Sequence, residues 1–301
     1  MIHPARFLFN AGSTPKSWNK KMLNDKCLKV VKYFENSSTV FPDTDIKGGI
    51  VVTYRDIDKN FGKIGTFTIY SELNTILKKV EEKSENTMDT IISGRGVYKL
   101  SEYAHEDYPE IESLQSKGHK YDIGSGAFRI LKDIIFHKNV PNDSKEYVKI
   151  LGLENRKRVF YWMKRKYLDA PQSFNEYKVI IPQANGNGAF GEVISSPIVL
   201  APYVGATETF LSIGGFPTRD EAEAVLKYIK TKFARAMLSV LKITQANTRE
   251  KWSKVPIQNF SNDSEIDWSK SISEIDQQLY KKYNLSKDEI EFIEKNVQPM
   301  E

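Results

Sequence analysis

Apolar residues recur along this chain in two rhythms, and the switch between them divides it into stretches. Leu28–Phe34 and Gly49–Tyr54 are rich in β-branched and aromatic residues and flanked by turn formers, which predicts two strands. Pro15–Leu23 predicts a short helix. Strand, helix, strand, turn, strand over residues 1 to about 60 is the texture of one end of an α/β sheet, and so short a stretch cannot supply a complete doubly wound domain. Leu73, Ile76, Leu77 and Val80 then fall at helical spacing, predicting an amphipathic helix over Glu72–Lys83. From about 85 to 215 the chain is mixed and strand-prone, interrupted by Gly, Ser, Pro and Asn. Thr218 and Glu221 form a capping box, and Ala222, Val225, Leu226, Ile229, Phe233, Ala236 and Val240 follow three or four residues apart. One long helix is therefore expected, running to about Lys242. Ser271–Tyr283 and Ser286 to about Lys295 each open with Ser-x-x-Glu and predict two more. The expected fold class is α+β.

Composition narrows the function classes. A chain of 301 residues with 40% hydrophobic content is long and apolar enough to build a core. Its single cysteine, Cys27, excludes an internal disulfide and a thiolate zinc cage. The four histidines, His3, His105, His119 and His137, stand far apart in unrelated contexts, which argues against a histidine metal site. The longest apolar runs, such as Val179–Pro182 and Ile198–Pro202, are too short to cross a bilayer, and no leader pattern opens the chain. The expectation is a cytoplasmic protein with no membrane partner and no metal.

The net charge of +5 says less than its distribution. Arg156, Lys157 and Arg158, then Lys164, Arg165 and Lys166, bracket Phe160, Tyr161 and Trp162. From Lys227 to Lys254 there are eight basic residues and one acid, Glu250, whereas the stretch from Asp263 onward is acidic by comparison. Such blocks suit either a polyanion partner or a solvated lysine face.

Several local patterns carry candidate chemistry. Gly186-Asn187-Gly188-Ala189-Phe190-Gly191 satisfies G-x-G-x-x-G, whose backbone amides can cradle phosphate. The context does not suit a nucleotide, because Val193–Pro202 is β-branched and proline-punctuated where a helix should open. A glycine turn that approaches DNA phosphate, or a plain turn, fits better. Asp169, Glu176 and Lys178 have the residue types to hold magnesium and activate water, as in nucleases. Thr244–Trp252 packs Gln245, Asn247, Arg249 and Lys251 into one loop, and amide and guanidinium groups can read base edges. Its bland alternative is a polar helix C-terminus. Arg95, in Ser93-Gly94-Arg95-Gly96, is a cation on a flexible turn suited to phosphate.

Beyond these, the chain resembles a known family. His3-Pro4-Ala5-Arg6-Phe7-Leu8, the Val40-Phe41-Pro42 turn and Gly48-Gly49-Ile50-Val51-Val52-Thr53-Tyr54 look like late sheet motifs of adenine-specific DNA methyltransferases of restriction–modification systems, often with methylation and cleavage fused in one chain. Tyr177-Lys178-Val179, the stretch from Ala184 to Glu192, that from Lys227 to Phe233, Ile243-Thr244-Gln245, the stretch from Val255 to Phe260, that from Asp267 to Ile272 and the Leu279–Tyr283 tail resemble their target-recognition region. The likeness covers nearly the whole chain. It departs at the chemistry: the donor-binding glycine turn of the early strands and the Asn/Asp-Pro-Pro-Tyr/Phe catalytic motif do not occur.

The resemblance implies that residues 1–60 are the last strands of a Rossmann-like methyltransferase sheet and 61–84 a linking helix. Residues 85–262 would be a mixed α/β target-recognition domain and 263–301 C-terminal helices. The partner would be duplex DNA, and an N-terminal methyltransferase half if the enzyme is split. S-adenosylmethionine would belong to the intact enzyme, with no cofactor in this chain. Arg95, Arg156, Lys157, Arg158, Lys164, Arg165 and Lys251 are the candidates for grip. Asn185 and Asn187 are further DNA-binding candidates, and the Gln245–Arg249 loop, with Gln245, Asn247 and Arg249, is the candidate for base reading on its chemistry rather than on the resemblance. A magnesium nuclease built on Asp169, Glu176 and Lys178, and a scaffold using the open edge of the sheet, stand as alternatives.

Overall fold

The computed structural model describes residues 1–9, 14–44, 46 and 48–301, and its fold is α+β. The chain divides into two compact units, Met1–Lys78 and Lys79–Glu301.

In the first unit, β1 (Ile2–Pro4), α1 (Lys16–Asn24), β2 (Leu28–Phe34) and β3 (Ile50–Arg55) follow one another. The sheet order is β1-β3-β2, with β3 antiparallel to both neighbours. β1 and β2 therefore run parallel to each other and are joined through α1, the crossover expected of an α/β sheet. A register shift between Val30 and Lys32 bends β2. Ala5, Phe7, Leu8 and Val51 form the buried centre, with Met22 and Leu23 of α1 packed on it. Phe7 meets Trp18 edge-on, and Phe9, Tyr33 and Phe67 make a three-ring cluster. The division between the units falls within α2 (Ser71–Lys83).

The second unit begins with small pieces: β4 (Lys99–Leu100), α3 (Glu102–Asp107), α4 (Ile111–Leu114) and α5 (Ala127–Ile130). β5 (Tyr147–Glu154) and β6 (Lys157–Lys164) then form the longest hairpin, and β7 (Leu168–Asp169) returns to pair with β4. β8 (Tyr177–Pro182), β9 (Ile198–Leu200), β10 (Val204–Ala206) and β11 (Phe210–Phe216) complete two three-stranded sheets, ordered β10-β5-β6 and β11-β8-β9. β10 joins β5 in parallel, and the other pairs of these sheets are antiparallel. Phe128 stacks on Tyr161 at 4.5 Å over the hairpin, and this works only because position 152 is glycine. A Cβ there would lie 2.4 Å from the Phe128 ring.

Helix α6 (Arg219–Lys230) covers β8, β9 and β11, and α7 (Lys232–Ser239) packs against α6 and against α8 (Ile272–Lys282) and α9 (Lys287–Asn296), the last two helices. Capping boxes at Thr218, Ser271 and Ser286 open three of them, as their sequences predict. The expected single helix from Thr218 to Lys242 is instead two. Thr231 is extended (φ −58°, ψ 150°), and its hydroxyl accepts from the Ala234 N–H while donating to the Tyr228 carbonyl. The Asp276 carboxylate of α8 takes the N–H groups of Lys232 and Phe233, both at 2.9 Å. A distant acid thus satisfies donors that a continuous helix would have turned inward.

Candidate nucleic-acid interface

The β5–β6 hairpin turns through only two residues. Glu154 pairs with Lys157, leaving Asn155 (φ 50°) and Arg156 (φ 63°) in the left-handed region that a two-residue type I′ turn demands. Asparagine tolerates that conformation, whereas the second position favours glycine, and an arginine there costs roughly 1 kcal/mol. Arg156 of the tip lines a cleft of about 400 Å³ together with Arg95, Arg158, Gln183 and Glu208. A second cleft of about 690 Å³ shares Arg95, Ser125 and Glu208 with the first and adds Lys99, His119, Asp122 and Arg129.

Around the two clefts stand five cationic side chains and two carboxylates, Asp122 and Glu208. Both acids are engaged. Glu208 accepts from Arg95 at 2.8 Å, and Asp122 takes Lys99 at 2.5 Å and the His119 Nδ1 at 2.7 Å. Burial opposes ionisation of Asp122, but Lys99 and His119 outweigh it and hold the carboxyl below its ordinary range. Arg158 is anchored by the carbonyls of Ser195 and Ser196 and lies 5.2 Å over the Phe210 ring, and burial draws its pKa down. Among the described residues, no side-chain hydrogen bond or ion pair engages Arg129, Arg156 or Lys157.

The structure thus brings Arg95, Arg156 and Arg158 to one surface, and adds Lys99 and Arg129, which carried no sequence pattern of their own; Lys157, exposed beside the tip, lines neither cleft. Lys164 and Arg165 belong to the other end of β6, about 25 Å away by strand rise. They are also committed there. Lys164 pairs with Asp143 at 3.8 Å and lies over Tyr167, while Arg165 donates to the Leu168 carbonyl and covers Phe174.

The basic run from Lys227 to Lys254 faces inward more than outward. Lys227 donates to the carbonyls of Trp268, Ser269 and Lys270, Lys230 to that of Glu301, and Lys232 binds Glu294. Arg235 is buried and donates to the carbonyls of Lys230 and Gly191, so that burial lowers its pKa to about 10. Lys242 binds Glu192, Arg249 the Asp89 carbonyl at 2.7 Å, and Lys254 Glu81. Seven of these eight cations tie elements of the fold together, which corrects the picture of a polyanion-facing block. Lys251, half-buried, is the remaining one.

The candidate reading loop divides similarly. Asn247 is fully buried, its amide bonded to the Pro182 carbonyl and the Trp252 indole, so it faces the core and not a ligand. Asn185 is buried too, held by the Val193 carbonyl and the Ser195 N–H. Asn187 is exposed, but its side chain accepts the Ala189 N–H. Gln245 is exposed on the stretch where Ala246 bridges Ala184.

The glycine turn is filled from within. One Glu192 oxygen accepts the N–H groups of Asn187 (2.9 Å) and Gly188 (3.1 Å), the amides that would otherwise face phosphate, and the other meets Lys242. Burial opposes that charge, but Lys242 and the amides keep the Glu192 carboxyl below its ordinary value. A Cβ at Gly188 would sit 2.2 Å from the Ile243 backbone, which is why the turn needs glycine.

Lys178 is buried in β8 and donates to the carbonyls of Phe174, Glu176 and Ala201, not to a carboxylate. Burial lowers its pKa to about 8. Asp169 pairs in register with Lys99, on a different sheet. Among the described residues no three His, Cys, Asp or Glu side chains converge to hold a metal ion, and no helix is long and apolar enough to cross a membrane.

No family model and no curated protein matches this chain. Among solved structures, the chain is similar over 98% of its length to the type IIG restriction endonuclease BpuSI, at 9% identity and a TM-score of 0.33. It spans 47% of that protein's chain, about half its length.

Proposed function

We propose that this chain grips and reads duplex DNA as the target-recognition part of an adenine-specific DNA methyltransferase of a restriction–modification system. The observation that carries the binding half is the surplus of cations around the two clefts, with Arg129 and Arg156 left unpaired where nearly every other candidate cation is tied into the fold. Phosphate contacts need such free guanidinium and ammonium groups, and a surface that had no anionic partner would gain nothing by leaving them together. The methyltransferase half of the proposal rests on the sequence resemblance, and the parallel β1–α1–β2 crossover with β3 between its strands suits it. S-adenosylmethionine finds no cradle in the glycine turn of this chain, because Glu192 occupies its amides. Cleavage built on Lys178 is disfavoured by the same kind of observation, since its ammonium is surrounded by backbone carbonyls.

The test is titration of a random-sequence duplex by fluorescence anisotropy at several salt concentrations. About four phosphate contacts give a log–log slope near −3.6, or a loss of about a hundredfold between about 50 and 200 mM salt. A flat response, or no binding at about 50 mM, would sink the proposal and leave the protein-scaffold reading.

A further inference from the structure

Resting on the duplex-DNA reading above, we infer that the Asn155–Arg156 tip of the β5–β6 hairpin is the base-reading element, and that Arg156 reads a guanine. Four observations converge on it. The backbone at Arg156 is left-handed, a conformation that a glycine would adopt without strain, yet the position carries the largest of the basic side chains. A cost of that kind persists where the side chain itself is needed.

The nearest acid does not neutralise it. Glu154, immediately before the turn, accepts the Tyr161 hydroxyl at 2.7 Å and is drawn to Lys132 (3.6 Å) and Lys138 (3.7 Å). Among the described residues nothing pairs with the Arg156 side chain, which lines the cleft that Gln183 and Arg95 also line.

The ribbon behind the tip is held firmly. Arg158 is pinned by the Ser195 and Ser196 carbonyls and by the Phe210 ring, and Phe128 packs flush against Gly152. A guanidinium on a rigid support keeps the geometry that bidentate recognition requires.

Shape and chemistry agree as well. A two-stranded β-ribbon is an element that the major groove admits, and arginine pairs bidentately with guanine O6 and N7 there. Lys157, beside the tip and exposed, is placed for the flanking phosphate. The loop with the best residue types, Gln245 to Arg249, has Asn247 buried and Arg249 tethered through its Nε to the Asp89 carbonyl, so it presents fewer groups than its sequence suggests.

The experiment uses the 301-residue chain and two variants, Arg156→Lys and Arg156→Gly. A preferred sequence is first selected from a pool of randomised duplexes. Dissociation constants are then measured for that duplex, for versions with 7-deazaguanine at each guanine in turn, and for a random duplex. The expected result is one guanine at which 7-deaza substitution weakens the native chain about tenfold or more. Arg156→Gly should be indifferent to that substitution, with its preferred-to-random affinity ratio falling by a similar factor, whereas Arg156→Lys, whose ammonium can still donate to guanine O6 and N7, should keep part of the sensitivity. Arg156→Gly should melt no lower than the native chain, since glycine relieves the turn, which separates lost reading from lost folding. If both variants weaken preferred and random duplexes equally, or if no guanine is sensitive in the native chain, Arg156 is not a base reader, while the DNA-binding proposal survives. If the native chain binds no duplex at about 50 mM salt, the DNA reading fails and this inference with it.

Discussion

Lys242 and Glu192 meet in a buried ion pair that locks the glycine turn from inside, with the Lys242 ammonium also donating to the carbonyls of Asn185 (2.9 Å) and Thr244 (3.1 Å). Removing one partner leaves the other charged and buried, so Lys242→Met should cost about 3 kcal/mol in urea unfolding. The pH dependence has a definite sign. The folded-state carboxyl of Glu192 titrates below its ordinary value of 4.5, so its contribution is present above that pH and is lost as pH falls towards the folded value. Glu192→Gln should show a shallower acid loss than the native chain; equal acid profiles would mean that the pair contributes nothing.

Lys178 gives the opposite limb of the pH profile. Its folded pKa of about 8 lies below the ordinary 10.5, so between these values the unfolded chain binds a proton that the fold does not. Stability should therefore rise with pH through that window. The urea midpoint of Lys178→Met, compared with the native chain at intervals from about pH 7 to 10, should lack that part of the rise. Parallel profiles would show that the ammonium is held as a charge by its three carbonyls throughout.

The break between α6 and α7 depends on Asp276. Asp276→Ala leaves the buried N–H groups of Lys232 and Phe233 without acceptors and should lower stability by about 1–3 kcal/mol, read by thermal unfolding. A change within a few tenths of a kcal/mol would show that the two helices set their own boundary.

The cations should sort into two groups by experiment. Arg129→Ala removes a free guanidinium beside the larger cleft and should weaken all duplexes alike, reducing the salt slope by about 0.9. Lys232→Ala should leave duplex affinity unchanged and loosen the contact to Glu294 of α9, visible as faster amide exchange there. Loss of DNA affinity in Lys232→Ala with Arg129→Ala unaffected would place the interface on the wrong face.

Legibility followed the range of the interaction. Caps at Thr218, Ser271 and Ser286 are completed by a glutamate three residues on, so sequence alone reveals them. β2 and β3 were readable from their β-branched runs. The interruption at Thr231 was not, because its cause lies on α8. Charge was legible in sign but not in destination: Lys227, Arg235 and Lys242 look in sequence like Arg156 and Lys157, and only the fold shows which meet carbonyls. Asn185 and Asn247 misled for the same reason, since an amide suited to a base edge suits a buried backbone equally well. No helix opens after the glycine turn, as the β-branched, proline-punctuated residues from Val193 suggest. That its own glutamate would fill the amides followed from no spacing rule.

The strand order of the first unit also dictates when that unit can come into being. Among the described residues β3 lies between β1 and β2, which share no hydrogen bonds, so within this unit neither flanking strand can pair until residues 50–55 exist. During synthesis the segment from Ile2 to Phe34 must wait, with Val30 and the Phe7 region unshielded, for the strand that joins them. At roughly 5–20 residues per second that wait lasts on the order of seconds. Assembly of this three-stranded sheet is then a single late event rather than a stepwise one.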